Sequence, residues 1–222
     1  MFYHLLAPLG KTWLIFNLFN YISFRAAGAV VTALLIAFVA GPAIIRRLRE
    51  HKVGQVIRAE GPASHQGKRG TPTMGGLIIL LATIVPTLLW APLTNRFVIV
   101  SVVAMLWCGA IGFLDDYLKV VQGQSRGLVA KWKLTGQVTF GVSLGILLIV
   151  WPVVNPAMIP AEGTTVPFFK YLVVTFAPWL YVVFVTGVVT GFSNAVNLTD
   201  GLDGLATGLS TIAAGAFASF AY

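Results

Sequence analysis

Six stretches of this sequence, each 18 to 21 residues long, contain no lysine, arginine, aspartate or glutamate: 26–45, 74–93, 97–114, 134–154, 173–192 and 205–222. About 20 apolar residues suffice for a helix to cross the hydrocarbon of a bilayer. Backbone amides and carbonyls find no water there, so helices are the form such stretches take. The expected fold class is an all-α polytopic membrane protein, with six transmembrane helices in a single domain over residues 1–222. Only 10% of the 222 residues are charged and 57% are hydrophobic, whereas a soluble domain carries roughly 25% charged residues. Lipid has to cover most of such a surface. Pro86 and Pro178 lie inside two of the stretches and are expected to kink those helices.

The charges that remain are unevenly placed. Arg46, Arg47, Arg49, Lys52, Arg58, Lys68 and Arg69 fall between the first two stretches, and Lys119, Arg126, Lys131 and Lys133 between the third and fourth. If every stretch spans, these eleven of the fifteen basic residues share one side. The excess of Lys and Arg marks that side as cytoplasmic and puts the N-terminus outside. All four aspartates, Asp115, Asp116, Asp200 and Asp203, then face the same compartment. The net charge of +8 gathers in loops, without the aromatic-basic pattern of a nucleic-acid module, so no nucleic-acid partner is expected. The single cysteine, Cys108, excludes an internal disulfide and reads as a small buried hydrophobe. Trp13, Phe16, Phe19 and Tyr21 suit an interfacial position. Residues 159–168, on the outer side, suggest a small hairpin around Gly163. The last stretch ends at Tyr222 without a polar tail, so the chain is expected to end inside a longer protein.

The third apolar stretch stops at Asp115 and Asp116. On a helix C-terminus the macrodipole is already negative, and two adjacent carboxylates repel. Local stability does not explain the pair; a bound cation or a shared proton would. A merely solvated acidic helix end is the plainer alternative.

Two other segments carry polar chemistry. Gly61–Gly76 is rich in glycine, proline and hydroxyls and holds Lys68 and Arg69. Glycines let backbone amides approach an anion, and Thr71 and Thr73 precede a helix N-terminus, where anions are favoured. A flexible loop with basic membrane anchors is the competing reading, and His65 alone signals no metal. In Ser193–Leu205, Asn194, Asn197, Asp200 and Asp203 recur every three residues. Gly201 and Gly204 make an unbroken helix unexpected there, and Asp200 or Asp203 could cap the last helix. One cap does not use two acids and two amides, which together suit a cation and a polar ligand. Carboxylates that hold a cation, beside bases that hold phosphate, suit phosphoryl transfer.

At Lys68–Gly76, with its Thr-Pro-Thr-Met-Gly-Gly run, at Asp115-Asp116, and at Asn194–Gly204, the chain resembles the polyprenyl-phosphate N-acetylhexosamine-1-phosphate transferases. The first segment points to their muramoyl-pentapeptide branch. The resemblance implies a Mg2+-dependent reaction in the bacterial inner membrane. Undecaprenyl phosphate and UDP-N-acetylmuramoyl-pentapeptide would give lipid I and UMP, in peptidoglycan synthesis. It implies Asp115 and Asp116 as the catalytic pair and cation site. Asp115 would take a proton from the lipid phosphate or orient it. Lys68, Thr73, Asn197, Asp200 and Asp203 would line the nucleotide-sugar pocket, with the backbone of Gly201 and Leu202 on uracil and Lys133 and Asn194 nearby. A homodimer is a further expectation. The family has roughly ten spanning helices, a later aspartate as main Mg2+ ligand and a histidine-rich loop. None of these is completed within 222 residues, so this chain alone is expected to be inactive.

A transferase for another UDP-N-acetylhexosamine and a polytopic transporter remain the rival readings. A transporter predicts ionisable groups near the bilayer midplane, whereas these acids flank the apolar stretches. A structural scaffold would have no use for the clustered acids.

Overall fold

The computed structural model describes residues 1–50, 74–121, 127–152, 159–166, 168–200 and 204–221. It is a mostly helical, polytopic membrane protein that divides into two compact units, residues 1–130 and 131–222.

The first unit opens with a short helix α1 (Phe2–Leu6) and two 3-10 turns (Ala7–Lys11 and Leu14–Asn20). Helix α2 (Ile22–Leu35) runs through a wide π turn (Ile36–Ala40) into α3 (Gly41–Glu50). The wide turn lies just before Pro42, whose missing N–H cannot serve the carbonyl one turn back. Helix α4 (Gly76–Trp90) contains Pro86, and α5 spans Arg96–Val121. Trp90 is the hub where α2 meets α4. Its Nε1 donates to Thr32 Oγ1 at 2.9 Å, and Thr32 donates in turn to the Gly28 carbonyl at 2.7 Å. The rings of Phe2, Phe19 and Phe24 lie 5.1, 5.8 and 6.0 Å from its ring. Each such pair adds about 0.5–1.5 kcal/mol beyond the area it buries. Arg25 stacks over Tyr3 at 4.5 Å and donates to the Phe19 and Asn20 carbonyls. The Met1 ammonium donates to the Leu88 carbonyl at 2.7 Å. The first twenty residues are thus tied to the Trp90 end of α4.

The second unit contains α6 (Ala130–Val150), a hairpin of β1 (Gly163–Val166) and β2 (Phe169–Thr175), α7 (Pro178–Thr199) and α8 (Leu205–Ala221). The strands pair antiparallel, Gly163 opposite Thr175 and Thr165 opposite Val173, with an irregularity before Val166. Helices α6 and α7 approach closely because Gly141 and Gly145 have no side chains. A β-carbon on Gly141 would stand 2.7 Å from Thr186 Cα, and one on Gly145 3.0 Å from Val182 Cα. Small residues four apart let membrane helices touch backbone to backbone.

Among the described residues, four helices are long and apolar enough to cross a membrane: Ile22–Leu48, Arg96–Lys119, Ala130–Val150 and Pro178–Thr199. Gly76–Trp90 and Leu205–Ala221 are apolar but shorter. Large apolar side chains lie exposed along all of them, among them Phe38, Ile79, Leu106, Leu147, Val183 and Phe217. That is the pattern expected where lipid replaces water as solvent.

Several expected boundaries shift. The stretch 173–192 begins as strand: Val173, Val174 and Thr175 finish β2, because β-branched residues also suit a pleated ribbon. Pro178 therefore kinks nothing. It occupies the first turn of α7, where its missing N–H costs no hydrogen bond. Gly163 starts β1 and is not the hairpin's turn. Cys108 is exposed on α5, contrary to the expected burial. Helix α5 continues through Asp115 and Asp116 to Val121, so the pair is not a helix terminus.

Candidate active site

The acid pair sits in the last two turns of α5, in the first unit. Continuation of the helix brings Lys119 onto the face of both acids, four residues after Asp115 and three after Asp116. Lys119 Nζ forms an ion pair with Asp115 Oδ2 and lies 3.7 Å from Asp116 Oδ1. The two carboxylates are about one-fifth and one-third exposed. One ammonium thus lies beside two like charges that would otherwise repel.

Each carboxylate is also held by a backbone amide from a loop. The Leu128 N–H donates to Asp115 Oδ1 at 2.8 Å. This return requires glycine at 127. Its φ is +62°, and a β-carbon would stand 2.6 Å from Asp115 Oδ1. On the other side, the Met74 N–H donates to the Asp116 carboxylate. Met74 is buried and has a φ of +69°, a left-handed conformation that methionine rarely adopts. That kink turns the chain into α4, whose Leu77 and Ile78 amides bond the Met74 and Gly75 carbonyls. The residues that lead into α4 from Met74 are therefore anchored to the acid pair. Lys68 and Thr73 precede this anchor and lie outside the described residues.

The second unit holds the other candidates. Lys133 is half-buried on the first turn of α6. Asn194 and Asn197 lie on α7, which stays helical to Thr199. Asp200 closes that helix as its C-cap, with φ −76° and ψ 29°, and is not the cap of α8. Gly204, with φ +79°, supplies the carbonyl for the first bond of α8. Gly201, Leu202 and Asp203 lie outside the described residues. Asn197 and Asp200 are exposed. Asn194 is engaged between helices: its Nδ2 donates to Gln137 Oε1 at 2.8 Å and to the Thr190 carbonyl at 2.9 Å. Gln137 Nε2 donates to Ser193 Oγ at 2.9 Å.

Lys119, Gly127, the Met74 amide and Gln137 escaped the sequence reading as site residues. Lys119 becomes visible only if the helix runs past Asp116. Gln137 carried a signal of its own, a lone amide side chain in an apolar stretch.

Among the described residues no three His, Cys, Asp or Glu side chains cluster as a metal site. The acid pair fits magnesium in the chemistry of its donors. That ion takes hard oxygen ligands, often one or two carboxylates, with water and substrate phosphate completing its shell. The contact with Lys119 shows that the pair already attracts a cation.

The family model for glycosyl transferase family 4 covers residues 98–222, and the signature 1 of the phospho-N-acetylmuramoyl-pentapeptide-transferases covers residues 68–80. A protein of Gemmatimonas aurantiaca named phospho-N-acetylmuramoyl-pentapeptide-transferase is 53% identical over 230 aligned positions. Proteins of the same name from Endomicrobium trichonymphae and a Geobacter species are 49% and 45% identical over 222. Each alignment takes in all of this chain, which spans about 60% of the length of these relatives. The chain belongs to glycosyl transferase family 4, and its 68–80 segment bears the signature of the phospho-N-acetylmuramoyl-pentapeptide-transferases.

Proposed function

We propose that the whole protein transfers phospho-N-acetylmuramoyl-pentapeptide from its UDP-linked donor to undecaprenyl phosphate, giving lipid I and UMP. The observation that carries this reading is the anchoring of the signature loop's Met74 on Asp116. It brings Met74, just before α4 within the signature segment, against a carboxylate pair suited to a cation. The names of the relatives favour the muramoyl-pentapeptide donor over other UDP-N-acetylhexosamines and over transport.

An oxygen of the lipid phosphate attacks the phosphorus attached to the sugar, the bond from that phosphorus to the UMP oxygen breaks, and UMP leaves. Little covalent work falls to the protein in such a transfer; positioning and charge stabilisation dominate. Asp115 has both oxygens engaged, one by Lys119 and one by Leu128. A carboxylate held so firmly suits orienting the incoming lipid phosphate. Asp116, with Asp115, would hold magnesium, which neutralises charge developing on phosphate oxygens. Lys68, Thr73, Asn197, Asp200 and Asp203 bind the donor, Gly201 and Leu202 present backbone to uracil, and Lys133 supplies positive charge nearby.

The protein acts in the bacterial inner membrane, with the site on the cytoplasmic face and the N-terminus outside. In support, the first twenty residues are tied to the Trp90 end of α4 while Asp116 is tied to the Met74 end. The test is UMP release by the purified whole gene product, with and without lipid phosphate, before and after chelation of divalent ions. Release that needs both lipid phosphate and Mg2+ is expected. Release indifferent to chelation, or none from the muramoyl-pentapeptide donor, would overturn the proposal.

A further inference from the structure

We infer that Gln137 is a positioning residue that fixes the register of α6 against α7, and with it the level at which Lys133 and Asn194 stand together. The site significance of that level rests on the function proposed above; the register itself does not.

The contacts between the two helices form an antiparallel ladder. Gly145 faces Val182, Gly141 faces Thr186, and Gln137 bonds both Ser193 and Asn194. Residues 137, 141 and 145 recur every four positions along one face of α6. One step further in the same series is Lys133, and the spacing of the glycine contacts places it level with Asn194. The glycine contacts bring the helices close but say little about sliding or rotation, since smooth backbones pack at several offsets. Gln137 is directional. It is 3% exposed, the one buried polar side chain among the described residues. It uses its carbonyl oxygen toward Asn194 and its amide toward Ser193, so a slip or a rotation breaks both bonds.

Stability alone is a weak reason to keep this network. Hydrogen bonds between membrane helices contribute modestly, because the separated helices also find partners. The same interface leaves the Thr190 hydroxyl buried without a partner among the described residues, which a purely stabilising contact would avoid. Buried amides that set register at little gain in stability are known from coiled coils. Here the register decides which residues of α6 meet the last turn of α7, where Asn197 and Asp200 lie.

The test uses the whole gene product with Cys108→Ser, spin-labelled at Trp132→Cys and Leu198→Cys, both exposed in the structure. Gln137→Met keeps the side chain's length and removes its hydrogen bonds. Its label-to-label distance distribution should broaden or shift, and the dissociation constant for UDP-N-acetylmuramoyl-pentapeptide should rise about tenfold. Gln137→Glu, whose carboxyl burial keeps neutral, retains an acceptor for Asn194 and a hydroxyl donor for Ser193, and should hold both values near those of the parent. A parent-like distribution in Gln137→Met overturns the inference. So does a broadened one in Gln137→Glu, which decides the matter if the methionine variant does not assemble. A shifted distribution with unchanged donor affinity overturns the link to Lys133 and Asn194. A parent protein that binds no donor, while Gln137→Met still shifts, sinks the transferase reading and upholds the register.

Discussion

Met74 and Asp116 are joined by a hydrogen bond from a backbone amide to a carboxylate, across more than forty residues of sequence. Met74 holds a left-handed conformation there, which costs of order 1–3 kcal/mol. Such a cost persists only where the surroundings enforce it. Here it accompanies one backbone amide of the signature segment held on Asp116.

Replacing Asp115 with asparagine keeps the shape of the side chain and removes its charge. Turnover in the whole gene product should fall by about a hundredfold or more, while membrane insertion is unchanged. UMP release and membrane fractionation measure the two. Near-parental turnover would remove Asp115 from the reaction.

Gly127→Ala puts a methyl group where the Asp115 carboxylate and the Lys119 side chain already lie, at a φ that disfavours alanine. The strain should amount to about 1–3 kcal/mol. The loop can relieve it by releasing the Leu128–Asp115 bond, so activity should fall more than the melting temperature. Equal activity with an equal Tm would show that the loop does not hold Asp115.

At Gly141 the neighbour is backbone, which cannot rotate away as a side chain can. Gly141→Leu should force α6 and α7 apart and destabilise the protein by about 1–3 kcal/mol. Thermal unfolding in detergent should show the loss. Gly187→Leu, on a face with no neighbouring atoms within 4 Å, serves as the control. Equal effects at the two glycines would refute the close approach.

Trp90→Ala removes the ring around which Phe2, Phe19 and Phe24 gather, together with the bond to Thr32. A loss of about 3–5 kcal/mol is expected from truncating such a side chain. Limited proteolysis should then cut within the first twenty residues sooner than in the parent. An unchanged cleavage rate would mean that this segment is held elsewhere.

Much of the helical architecture is legible from the absence of charge over spanning lengths. The errors come where one signal serves two structures. Val173-Val174-Thr175 is apolar enough for a membrane helix and β-branched enough for a strand, and a preceding Tyr171-Leu172 does not decide between them. Pro178 reads as an interruption until the strand before it is known. The acids at 115 and 116 mark where apolar residues end, and hydropathy says nothing about a helix that continues beyond that point. The acid pair and the Asn/Asp segment were visible as chemistry, because adjacent carboxylates and repeated amides are costly without a use. The amides of Met74 and Leu128 were not, since every residue carries one and only the fold decides where it points.

The tethering of the first twenty residues to one end of α4, with Asp116 fastened to the other, has a practical consequence. Helix α4 is 15 residues long, so about 22 Å separates its ends. An amine-reactive dye that cannot pass lipid, added to sealed vesicles, should reach Lys11 or Lys119 from a given compartment, never both. On the topology proposed above, a reporter fused ahead of Met1 would ride on the face opposite the acids, and would disturb the ammonium's grip on Leu88 before it disturbed any chemistry.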